Sequence, residues 1–110
     1  MITTFKTSKK LKEMGCEVRS EYFWIPALYR GAKEDYYICD RDCLHHIDKD
    51  STGIYPAYDI RDIICNGEMA RAFFGEQGCK NHTENMLVFL QQNKQEEAEE
   101  YLLNNCVFNN

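Results

Sequence analysis

A chain of 110 residues that is 44% hydrophobic and 13% aromatic can fold around one core as a single domain, and it is too apolar to remain disordered. No stretch reaches the roughly 20 apolar residues of a membrane span. The net charge of −5 is uneven, with seven basic and three acidic residues in 1–33, five and ten in 34–80, and one and five in 81–110.

In chain order, Thr7 or Ser8 can cap a short first helix with Leu11 and Met14 inward, and Gly15 sits where a left-handed C-terminal cap belongs. From Cys16 the period changes to two. Cys16, Val18, Tyr22 and Trp24 alternate with Glu17, Arg19, Glu21 and Phe23, which argues for a strand. Pro26 cannot donate to a ladder, so this strand lies at an edge, bulges or breaks there, and Ala27, Leu28 and Tyr29 can resume it. RGAKED reads as a turn and YYIC (36–39) as the returning strand of an aromatic hairpin. Ser51, Thr52 and Gly53 mark a turn, and IYPAY leads to Asp59, the N-cap of a helix with Ile60, Ile63 and Ile64 on one stripe. Asn66-Gly67 interrupts it. EMARAFF follows and ends at Gly75, and EQGCKN reads as a loop before a helix capped by Asn81 with Glu84 three residues on. Asn93 can end that helix in a left-handed turn. The last helix, from KQEEAEEYLLNNC, has Ala98, Tyr101, Leu102 and Cys106 inward and its four glutamates outward, near its positive end. The expected fold is α+β: an N-terminal helix, an aromatic-rich antiparallel β-hairpin or small sheet, then three to four helices ending in a helical hairpin.

The segment CDRDCLHHIDKDSTG (39–53) concentrates the chain's chemistry. Cys39, Cys43, His45 and His46 are legitimate zinc ligands, and Cys79 with His82 offers a second pair. A site drawn from Cys39, Cys43, Cys79 and His82 requires a helical turn at 39–43. An extended strand would hold the two thiols about 13 Å apart, at roughly 3.3 Å per residue. Neither pair has the C-x2-C spacing of a strong zinc signal, so no cofactor is expected, with zinc the single alternative. D-x-D-x-T at Asp48–Thr52 matches the nucleophile motif of haloacid-dehalogenase-type phosphatases, which makes a small hydrolase the second alternative, yet too little chain follows to build their doubly wound sheet. Asp48, Asp50, Thr52 and Gly53 also match the start of a calcium loop, which then fails at Pro56 and Asp59. No cysteine has an activating context, and there is no glycine-rich phosphate loop. The expectation is a protein that is not an enzyme.

Six cysteines without an apolar leader after the first lysines read as reduced thiols in a cytoplasmic protein. Cys65 and Cys106 fall on apolar helical faces as small hydrophobes. Duplex binding needs a concentrated basic face, which only Lys6, Lys9, Lys10 and Lys12 provide, so nucleic acid is a disfavoured partner. The hairpin aromatics Tyr22, Phe23, Trp24, Tyr29, Tyr36 and Tyr37 occupy both faces by parity. Either helices bury both faces, or one face stays exposed and offers tyrosines to a protein partner or to self-association, with Tyr22, Trp24, Tyr29, Tyr36 and Tyr37 the candidate contacts.

At YFWIP, IYPAYDIRDIIC and ENMLVFLQQNKQEEAEEYLLNN the chain resembles small proteins of bacteriophage, prophage and Bacteroidales genomes, a family with no assigned activity. The resemblance covers most of the chain and implies the same succession of helix, glycine, aromatic strand, "PAY-D" helix start and closing helices. It transfers no catalytic residue. Together these readings describe a protein–protein interaction or accessory protein of mobile-element origin.

Overall fold

The first helix, α1 (Phe5–Glu13), starts at Thr4 rather than at Thr7 or Ser8. Thr4 takes extended backbone angles and its hydroxyl accepts from the Thr7 N–H, the usual N-cap arrangement. Thr7 and Ser8 are instead buried on the helix. Leu11 is buried as its position predicts, and Gly15, at φ +90°, adopts the left-handed conformation that glycine alone enters without strain. The computed structural model describes residues 1–27, 35–42 and 53–109.

Three antiparallel strands follow, β1 (Tyr22–Pro26), β2 (Tyr36–Asp40) and β3 (Tyr55–Ala57), in the order β2-β1-β3. The alternating segment that begins at Cys16 becomes strand only from Tyr22. β1 is the central strand, with Trp24 opposite Ile38 on one side and Tyr55 on the other. Pro26 is tolerated because β3 pairing has already ended there, so no ladder bond is lost on that side. IYPAY, read from its sequence as a lead-in to the helix, contributes β3 itself. Its proline lies on an edge strand, where a missing N–H can face away from the ladder.

Asp59 caps α2 (Ile60–Cys65) through the Arg61 N–H at 2.9 Å, and Ile60 and Ile63 are fully buried. Asn66 then caps α3 (Gly67–Gln91), its side-chain oxygen accepting from the Glu68 and Met69 N–H groups. Gly75, at φ +79° and ψ 163°, is non-helical, so EMARAFF ends there as its sequence predicts and α3 is two helical pieces meeting at a kink. The expected loop EQGCKN is helical and Asn81 is not a cap. At Gly78, inside this helical stretch, a Cβ would lie 3.0 Å from the His82 ring one turn on. The glycine makes room for packing rather than marking a turn. Asn93 is left-handed at φ 57° and turns the chain into α4 (Gln95–Asn105), completing the C-terminal helical pair of an α+β fold.

The main core gathers Leu11, Tyr58, Ile63, Phe73, Met86 and Leu102 from every helix and from the end of β3. Its buried polar groups are satisfied. The Tyr58 hydroxyl donates to the Val18 carbonyl at 2.7 Å, and the Tyr58 N–H donates to the Thr3 hydroxyl at 3.0 Å. A second, smaller cluster of Phe23, Cys39 and Ile54 lies on the sheet face that carries Phe23. The opposite sheet face packs on α1 through Phe5, whose ring stacks on Tyr36 at 4.0 Å and meets Trp24 and Tyr55 edge-on at 6.3 and 5.3 Å.

Candidate functional site

The charges of the first and last helices decide where a site can lie. Across the gap between α1 and α4 runs an open groove of about 800 Å³. Lys6 and Lys10 line one wall and Glu96 and Glu100 the other, with Thr7, Met14 and Leu103 among the residues between them. Lys6 and Lys10 are separated by one helical turn, and so are Glu96 and Glu100, which places each pair on one face of its helix. All four are exposed. Among the described residues none of them has an ion-pair partner; the ion pairs present involve Asp59, Glu21 and Arg41.

Glu99 departs from the expectation that all four glutamates face outward. It is 3% exposed and lies against the start of α1. Its Oε1 accepts from the Thr4 N–H at 2.7 Å and the Thr4 hydroxyl at 3.1 Å, and its Oε2 accepts from the Gln95 amide at 3.1 Å. A carboxylate at a helix N-terminus satisfies an orphan donor and complements the helix dipole. α1 has no acidic residue in its own first turn, so α4 supplies it. Gln95 spends its second amide proton on the Ile2 carbonyl at 3.1 Å. The groove floor is thereby fixed from both sides.

The residues singled out by sequence are distributed elsewhere. Cys79 and His82 both lie on α3, one turn apart. The His82 Nδ1 lies 2.7 Å from the Tyr101 hydroxyl, which also accepts from the Asn85 amide at 2.9 Å. With Asn85 donating, the tyrosine proton is free to go to Nδ1. The ring packs against Phe74 with centroids 5.0 Å apart. His82 thus ties α3 to α4. Cys79 turns its thiol toward the Glu76 carbonyl at 3.5 Å. Cys39 belongs to the separate Phe23 cluster, apart from the core against which Cys79 packs. Cys43, like His45, His46, Asp48, Asp50 and Thr52, lies outside the described residues. Among the described residues no three His, Cys, Asp or Glu side chains are grouped to hold a metal ion.

Of the hairpin aromatics, Trp24 and Tyr36 are half-buried and engaged by Phe5, and the Trp24 indole donates to the Thr3 carbonyl at 2.9 Å. Tyr22 and Tyr37 are half-buried on opposite sheet faces; Tyr29 lies outside the described residues. The aromatic cluster holds the sheet to α1. A further shallow cleft of about 310 Å³ includes Met1, Ile64, Cys65, Leu87 and Leu90 in its lining. No helix is long and apolar enough to cross a membrane among the described residues.

The thiols divide by environment. Cys65, expected inward, is exposed, because Ile60 and Ile63 take the buried side of its short helix. Cys106 is buried as expected, and Cys16 is buried beside Tyr58, to whose hydroxyl it lies 3.5 Å away. Burial pushes the Cys16, Cys106 and Tyr58 groups above their ordinary values. Two consequences are measurable. Alkylation under native conditions should label Cys65 well before Cys16 and Cys106, as site-resolved mass spectrometry would show. A raised pKa on an acid that ionises to an anion stabilises the fold below the unfolded pKa and is lost as pH rises toward the folded one. The urea midpoint should therefore fall as pH climbs above about 8.5, the unfolded thiol value, and fall less in a Cys16→Ala, Cys106→Ala variant.

No family model, curated protein or solved structure matches the chain.

Proposed function

We propose that this chain is a non-catalytic accessory protein that acts by binding another protein, with the groove between α1 and α4 as its contact surface. The observation that carries the reading is the pair of charged walls. Lysines on one side and glutamates on the other stand without ion-pair partners among the described residues, around a half-apolar floor. Charges arranged in this way steer encounter and set specificity when a complementary surface arrives. A mobile-element origin rests on the sequence resemblance and fits a small accessory protein.

A photo-crosslinking side chain placed at Lys10 in source cells tests the reading. The expected result is a discrete protein adduct that disappears when Glu96 and Glu100 are reversed to lysine. The same probe at exposed Glu68 on α3 serves as control. Adducts indifferent to the reversal, or no adduct from position 10, would overturn the groove as a binding surface.

A further inference from the structure

We infer that the occupant of the α1–α4 groove is a second copy of this chain, seated with a two-fold axis running along the groove. The inference rests on the groove reading and names its partner.

The argument is one of charge complementarity. The two walls are ridges of opposite sign, Lys6 and Lys10 against Glu96 and Glu100, each pair repeating after one turn, or about 6 Å at 1.5 Å per residue. A strongly acidic partner such as nucleic acid would be attracted to the lysines and repelled by the glutamates. A strongly basic one would meet the reverse. The chain itself carries both ridges at matched spacing. Rotation about an axis parallel to the ridges exchanges the two sides of the groove, so each lysine ridge faces the glutamate ridge of the other copy. Such an interface is isologous and closed. It also relieves a local cost, since like charges one turn apart on a helix repel. Met14 and Leu103, partly buried beside the core, give the contact an apolar centre.

The experiment is sedimentation velocity on the full chain over a concentration series at low salt. The wild type should dimerise, and salt should weaken the dimer, because exposed charges are screened beyond about 3 Å at 1 M. Lys6→Glu with Lys10→Glu makes both ridges acidic, and Glu96→Lys with Glu100→Lys makes both basic. Each variant alone should self-associate at least about tenfold more weakly, and an equimolar mixture should restore a species of dimer mass. All four positions are exposed, and circular dichroism reports whether each variant is folded; if a reversal unfolds the chain, the neutral Lys6→Gln, Lys10→Gln pair replaces it. A wild type that stays monomeric at the highest concentration, or a dimer that both reversals leave intact, overturns the inference. A monomer that still gives a groove-dependent adduct in cells overturns self-association alone, whereas a groove without adducts removes the underlying reading.

Discussion

Phe73→Ala is expected to cost about 3–5 kcal/mol of folding stability, the range for emptying a buried aromatic site. Phe73 is 0% exposed and sits just before the Gly75 kink. Its ring meets the edges of Tyr58 at 5.0 Å and Phe108 at 5.8 Å, and its carbonyl accepts from the Val107 N–H at 2.8 Å. It therefore joins the end of the sheet, α3 and the tail that follows α4. Removing the ring leaves a cavity bounded by segments that the backbone holds apart, so collapse is limited and the cavity penalty is paid nearly in full. A domain of this size has a total stability of about 5–15 kcal/mol, so the variant should lose roughly a fifth of it or more. Urea unfolding should show a lower midpoint with the slope unchanged. Val88→Ala, on the exposed side of α3, serves as the control and should stay within about 0.5 kcal/mol of wild type. A Phe73→Ala midpoint close to that of Val88→Ala would mean that this ring does not organise the core.

The same site shows how far local sequence reasoning reached. Features decided within a few residues were legible: the Gly15 and Asn93 left-handed turns, the Asp59 cap, the buried Ile60 and Ile63 stripe, and the β1–β2 hairpin. Features decided by distant neighbours were not. β3 has three residues and a proline, and it is a strand because β1 offers it an unpaired edge. Gly78 reads as a loop former until the His82 ring is placed against it. Thr4 competes for the first cap with Thr7 and Ser8, all of them suitable types, and the contest is settled by a glutamate 95 residues away. The charged groove was missed for the same reason. The imbalance between a basic N-terminal third and an acidic C-terminal third is plain in the sequence, but nothing local says that the two ends lie side by side.

Glu99→Ala should be the most damaging substitution of a charged residue, at about 1–3 kcal/mol, because it removes a buried, charge-assisted acceptor from part-buried donors. The Thr4 N–H loses its acceptor, the Thr4 hydroxyl keeps only Thr7 Oγ1, Gln95 loses one of two, and the positive end of α1, which has no acidic residue in its own first turn, loses the carboxylate bonded to it. Glu99→Gln separates charge from shape. Its amide oxygen can still accept from Thr4, but its NH2 then meets the NH2 of Gln95, donor against donor, so the loss should be smaller, near 1–2 kcal/mol. Because Gln95 and Glu99 share a bond, Gln95→Ala should cost less in the Glu99→Ala background than in wild type, and a double-mutant cycle would read that coupling. Hydrogen exchange distinguishes capping from general loosening. The first amides of α1 should exchange faster in Glu99→Ala than the global destabilisation requires, while those of α3 should follow the global change. Uniform acceleration across all four helices would show that Glu99 contributes only to overall packing, and that the first helix does not depend on the last for its start.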